Sequence, residues 1–145
     1  PTSRGEISIS SSDTKVNPKI KMNYLSTDED RKVAADGIKL IRKIVMETNE
    51  FKKYEPEEFR PGSHLNDKEE IVKACSHYAQ TIFHPVGTCK MGNDESAVVS
   101  DKLKVHGINK LRVIDASIMP NITSGNTNAP TIMIAEKGAD MILSP

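Results

Sequence analysis

The sequence holds 145 residues, in which 20 Lys and Arg balance 20 Asp and Glu. That length accommodates about one domain, zero net charge without a basic run excludes the electrostatic footprint of a nucleic-acid binder, and no apolar run approaches the ~20 residues that span a bilayer. Apolar residues at 37%, no Trp and a mean hydropathy of −0.46 fit a modest core, or one that a further segment completes.

The opening Pro1-Thr2-Ser3-Arg4-Gly5 has neither a charged n-region followed by an apolar run nor an initiator Met, so the expectation is no signal peptide and a chain that begins mid-protein. Residues 6–10 and 19–24 each alternate polar and apolar, with a Ser/Asp/Asn/Pro18 gap between them. They read as two half-buried, antiparallel strands. Ser26-Thr27-Asp28-Glu29 reads as a helix start, Ser26 and Glu29 having capping-box spacing and the acids suiting the dipole of a first turn. Val33, Ile38, Ile41 and Val45, with Gly37 and Ile44 beside them, form an apolar stripe to about Glu47, expected to pack in a core.

From Asn49 to Asp67 the chain is charged and broken by Pro56 and Pro61, which predicts an irregular loop or short helical turns. Lys68 to Tyr78 has the pattern of a helix, with Ile71, Val72, Ala74 and Cys75 as its apolar positions. Leu103 and Val105 alternate with Lys before a turn at His106-Gly107, and Leu111-Arg112-Val113-Ile114 reads as a buried strand ending at Asp115. A last helix is expected from Ala129 or Pro130 to Ile142, with Ile132, Ala135, Ala139 and Ile142 as its stripe. The fold class is α+β.

Two segments stand apart chemically. His84-Pro85-Val86-Gly87-Thr88-Cys89-Lys90-Met91-Gly92 cannot be a long helix and must be a constrained loop, whose histidine could be structural or catalytic. Ile114 to Pro130 is a strand end, a long loop rich in amides and hydroxyls, and a helix start. It is either a ligand site or a connector whose Asn and Thr cap turns. Elsewhere the four histidines and Cys75 and Cys89 show no strong metal spacing, and GxSxG, GxGxxG and Walker A patterns are absent. The two cysteines form no CxxC pair, which leaves their redox state open. Asn121-Ile122-Thr123 matches a glycosylation sequon, a short pattern common by chance.

Together, the His84–Gly92 segment and Leu111-Arg112-Val113-Ile114-Asp115-Ala116-Ser117-Ile118-Met119-Pro120 closely resemble the glucose–methanol–choline (GMC) oxidoreductases. Gly125-Asn126-Thr127-Asn128-Ala129-Pro130-Thr131, Ile134-Ala135-Glu136-Lys137 and the early Ser3-Arg4-Gly5, Pro18-Lys19-Ile20 and Asn23-Tyr24-Leu25 extend the match. The resemblance covers nearly the whole chain, corresponds to the family's C-terminal part, and looks nearest to the insect glucose-dehydrogenase-like branch. It implies a fragment: residues 1–100 in an antiparallel substrate-binding portion, and 101–145 as the last strand and helix of a Rossmann-like FAD-binding domain.

The implied activity is oxidation of an alcohol or sugar hydroxyl to a carbonyl with FAD as cofactor. The implied catalytic pair is His84 and Asn126. An imidazole takes the hydroxyl proton or holds the alkoxide, and an amide donates to the same oxygen without titrating. Asp115 and Ala116 fall at the ribityl and phosphate region of FAD. Asn128, Ala129, Pro130 and Thr131 fall near the isoalloxazine, where free helix N–H groups stabilise electron density. No metal, nucleic acid or membrane is implied, and secretion is the expectation by branch alone.

The sequence departs from the family at Val98-Val99-Ser100-Asp101, where Val-Val-Asp-Pro is usual, and lacks the glycine-rich nucleotide-binding segment. That segment would be a missing N-terminal partner, without which the chain is expected neither to bind FAD tightly nor to turn over. The alternative is a truncated or non-catalytic product serving as a binding or structural module.

Overall fold

A computed structural model describes residues 1–144. Among the described residues the chain forms an α+β fold of one two-stranded sheet and four α-helices. It divides into two compact units, Pro1–Gln80 and a second that begins at Thr81. That division by compactness falls at a different place from the 100/101 boundary implied by the family resemblance.

In the first unit β1 (Glu6–Ser8) pairs antiparallel with β2 (Lys19–Lys21), Ile7 opposite Ile20. The two strands are neighbours as expected, but they are not half-buried: Ile7 and Ile20 are 53% and 60% exposed. A two-stranded ribbon with no layer packed on it has no inside face.

Helix α1 (Asp28–Glu47) begins one residue later than the capping-box reading placed it. Thr27, not Ser26, is the N-cap, and its hydroxyl accepts from the Asp30 amide at 3.3 Å. Asp30 is thereby the third helical residue. Its carboxylate accepts the amides of Thr2 at 2.9 Å and Ser3 at 2.8 Å, while the Ser3 hydroxyl accepts the Ser26 amide at 3.0 Å. The segment carrying Ser3-Arg4-Gly5 is thus tied to the start of α1.

The expected stripe of α1 is covered only in part. Ala35 is buried and Ile38 and Val45 are half-buried, but Val33, Ile41 and Ile44 are exposed. The neighbours of α1 are α2 (Asn49–Lys52) and α3 (Lys68–Tyr78), and α3 presents one narrow ridge, the buried Ile71 and Ala74. Asp67 caps α3 by accepting the Glu69 amide at 2.7 Å. The loop between α2 and α3 hangs on Arg42, which donates to both oxygens of Glu58 at 2.8 Å, to the Leu65 carbonyl at 2.7 Å and to that of Gly62 at 3.0 Å.

The second unit has its core in Val99, Leu103, Ile118, Met119 and Ile134, with Val86, Met91, Val113, Ile114 and Met141 packed on it. Residues 111–114 do not form the regular buried strand expected of them. One bridge joins Arg112 to Lys104, flanked by Val105 N–H to the Leu111 carbonyl and Val113 N–H to the Leu103 carbonyl. These bonds all run to one side, and a buried strand needs partners on both.

Helix α4 (Asn128–Leu143) buries Ile134 and Gly138. The stripe expected on it lies on its other side, with Ile132 and Ile142 both 54% exposed and Ala135 and Ala139 exposed too. Gly138 explains the phase, because with no side chain there the helix axis comes down onto the Ile114 side chain.

Candidate active site

The segment that bears His84 is fixed by backbone bonds to the turn that follows Asp115. Cys89 N–H donates to the Ser117 carbonyl at 3.0 Å and Met91 N–H to that of Ile118 at 2.8 Å. Further on, Gly92 N–H and the Val99 carbonyl lie 3.0 Å apart. Gly87 holds φ +87°, and a Cβ there would sit 3.2 Å from the Met119 carbonyl oxygen, so the close pass between the two segments suits a glycine. Phe83, just before the histidine, is in the left-handed region at φ +63° and is highly exposed. A non-glycine residue held there carries local strain of the kind that collects at functional sites.

His84 is half-buried. Its Nδ1 shares a 2.8 Å hydrogen bond with the hydroxyl of Thr127, the one buried polar residue among those described. Its Nε2 makes no hydrogen bond among the described residues. Asn126, the expected partner, is adjacent in sequence to that threonine; its side chain is exposed and makes no bond to His84 among the described residues. The contact to the histidine therefore comes from Thr127, which the sequence reading passed over.

The other implied residues gather nearby along the chain. The Asp115 carboxylate accepts the amide of Ser117 at 2.8 Å and its hydroxyl at 2.5 Å, capping the short 3₁₀ turn Ala116–Ile118. One of its oxygens, Oδ1, does this work. Ala116 packs on the core. Asn128 and Ala129 open α4 and are exposed, and no side chain caps their N–H groups. Pro130 follows without an N–H, and Thr131 turns back on the helix, its amide at 3.0 Å and its hydroxyl at 2.6 Å from the Thr127 carbonyl. Arg112 is structural: it donates to the Met141 carbonyl at 3.2 Å, in the last turn of α4 where a cation suits the dipole.

Chemically the second unit thus offers an imidazole with one nitrogen anchored and one open, an unengaged amide two residues before α4, and a helix N-terminus with donors to spare. A proton-accepting group and neutral donors aimed at an oxygen or at an electron-rich ring are what such a set provides.

Comparison with known proteins gives the family. A family model described as GMC oxidoreductase, for that family's C-terminal part, matches residues 1–135, and the chain belongs to the GMC oxidoreductase family. It is 49% identical over 140 residues to an oxygen-dependent choline dehydrogenase of Proteus mirabilis, covering 97% of this chain and 25% of that protein. It is 47% identical over 143 residues to an alcohol dehydrogenase [acceptor] of Pseudomonas putida, covering 99% of this chain and 26% of that protein. Among solved structures it superposes on pyridoxine 4-oxidase from Mesorbium loti with a TM-score of 0.92 and 34% identity, over 100% of this chain and 28% of that one. A formate oxidase gives a TM-score of 0.88 at 35% identity, over 98% of this chain and 25% of that one. The chain spans about a quarter of the length of the relatives it matches.

Proposed function

We propose that this chain is the C-terminal part of an FAD-dependent oxidoreductase that converts an alcohol or sugar hydroxyl to a carbonyl. The observation that carries the reading is the state of His84: Nδ1 bonded to a buried threonine, Nε2 open, and an unengaged Asn126 amide two positions ahead of an uncapped helix. FAD, when bound, would supply the acceptor for a hydride from the alcohol carbon. His84 Nε2 takes the hydroxyl proton, or as imidazolium holds the oxygen as it becomes negative. The Asn126 amide donates to that same oxygen and does not titrate.

The residues fit such a cofactor in chemistry. Asn128 and Ala129 offer two N–H donors that nothing in the helix uses, suited to an electron-rich ring, with Pro130 and Thr131 completing that first turn. Asp115, which caps the turn through Oδ1 alone, would have its other carboxylate oxygen to offer a hydroxyl of the ribityl chain, with Ala116 next in sequence. No glycine-rich phosphate loop lies in this sequence, so on this reading the remaining three-quarters of the protein supplies the cradle for the nucleotide. Residues 1–100 then belong to the substrate-binding portion, and 101–145 return the chain to a Rossmann-like FAD-binding domain.

Placement beside the insect glucose-dehydrogenase-like branch is the finer reading. It rests on the motifs alone, and the relatives named above widen the substrate class to choline and simple alcohols. A non-catalytic module is the second reading. It is disfavoured because a copy without chemistry has no physical need for an anchored, half-open imidazole and a free amide on the residue next to its threonine partner.

The deciding experiment is His84→Ala in the full-length protein. The expected result is loss of at least a hundredfold in turnover, on the scale of a lost general base, with flavin absorbance retained. Unchanged turnover would refute the reading. Stable stoichiometric FAD on the 145-residue chain alone would refute the division of labour.

A further inference from the structure

The bond from Thr127 to His84 has a cause in the sequence. Thr127 is the N-cap of α4, and an N-cap threonine ordinarily accepts the amide of the second or third helical residue. The third helical residue here is Pro130, which has no N–H, so of the two usual donors only the Ala129 amide remains. No side-chain cap bond forms, and the hydroxyl turns to His84 Nδ1 at 2.8 Å. The Thr127 backbone is held independently, because its carbonyl accepts both the amide and the hydroxyl of Thr131. A buried hydroxyl on a fixed backbone thus faces one nitrogen of a half-buried ring.

We infer that Thr127 is a positioning residue, which fixes the His84 ring through Nδ1 and supplies the acceptor that an Nδ1–H needs, so that the Nε2 lone pair is left for the reaction. This rests on the reading of His84 as the group that takes the substrate proton. Neutral imidazole has one donor and one acceptor nitrogen, and the Thr127 hydroxyl can partner either; it is the role of Nε2 as proton acceptor that requires the proton on Nδ1. With Nδ1–H donated to the Thr127 oxygen, Nε2 is the acceptor. When Nε2 takes a proton, Nδ1 still donates, so the same bond survives the step and the ring need not turn. The opposite tautomer would place a proton on Nε2 and leave nothing there to accept another.

The test uses the full-length flavoprotein labelled with ¹⁵N-histidine, the His84 signals being assigned by their loss in His84→Ala. Wild type should show a pyridine-type Nε2 and a pyrrole-type Nδ1. Thr127→Val keeps the shape and removes the hydroxyl. It should shift the tautomer toward Nε2–H and lower kcat roughly tenfold, about the worth of one hydrogen bond, with KM within twofold. Thr127→Ser should restore both. A pyrrole-type Nε2 in the wild type overturns the proposal without recourse to any variant. So does a Thr127→Val protein with wild-type tautomer and kcat while His84→Ala is inactive. Full activity in His84→Ala would instead overturn the catalytic reading of His84 itself.

Discussion

Gly138→Ala tests whether the two halves of the site are held together by the close pass of α4. A Cβ at 138 would lie well inside contact with Cγ2 of Ile114 and 3.0 Å from its Cδ1, where carbons attract at about 3.5–4.0 Å. Ile114 is β-branched, and rotation about χ1 does not clear the methyl cheaply. Overpacking of this kind costs about 1–3 kcal/mol, and the helix propensity of alanine over glycine returns about 1 kcal/mol. The net expectation is destabilisation of up to about 2 kcal/mol, local to α4 and the segment before Asp115.

The matching assay is native-state hydrogen exchange of the α4 amides in the full-length protein, which reads the free energy of opening that helix. Adding Ile114→Ala removes the offending methyl, so the double variant should lose less than the sum of the two single losses, by about 1 kcal/mol or more. Because α4 carries Thr127 at its head, Gly138→Ala should also weaken the His84 bond and lower turnover. A Gly138→Ala protein with unchanged α4 protection, or a double variant that is simply additive, would refute the packing argument.

Two further outcomes follow from the ion pairs. Arg42→Met leaves Glu58, whose side chain is only 11% exposed, and the carbonyls of Gly62 and Leu65 without their donor. It should cost about 2–3 kcal/mol, read as faster exchange in the 53–67 loop. The Arg42 guanidinium holds the Glu58 carboxyl below its ordinary range, so this stabilisation is full above that range and fades as pH falls through the lowered value. In the second unit the Ser96 hydroxyl, the Lys90 ammonium and the Ser96 amide hold Asp94 at about 2. Titration of its ¹³C carboxyl signal should find it still ionised at pH 3. Lys90→Ala should raise that midpoint toward the usual carboxylate value, and a midpoint near 4 in the wild type would contradict the geometry.

What the sequence made legible depended on whether the deciding partner was local. The bounds of α3 were readable at Lys68 and Tyr78 because Asp67 caps the helix from one residue away. The antiparallel pairing of β1 with β2 was readable because two alternating segments follow one another with only turn-forming residues between them. The His84 segment was legible because Pro85 and Gly87 forbid regular structure there. Thr127 was missed although a signal was present: in a cap residue three positions before a proline, the hydroxyl has lost one of its two usual partners. The start of α1 was misplaced by one residue because Ser26 and Thr27 are both good caps, and the distant Ser3, whose hydroxyl takes the amides of both, is not legible from the local pattern.

The larger misreadings, of burial, share one physical origin. Periodicity marks a stripe as apolar, but it does not say which layer covers it. On α4, Gly138 turned one side of the helix to the core, while the marked side, Ile132, Ala135, Ala139 and Ile142, stayed exposed. On α1 the exposed Val33, Ile41 and Ile44 lie beyond the reach of α3. Residues 111–114 likewise have bonds on one side only. Each discrepancy is an apolar surface or a strand edge that the sequence treats as interior and this chain leaves open. On the proposed reading those are the surfaces at which the rest of an enzyme about four times as long packs, and the pattern of misreadings itself favours a fragment over a self-contained module.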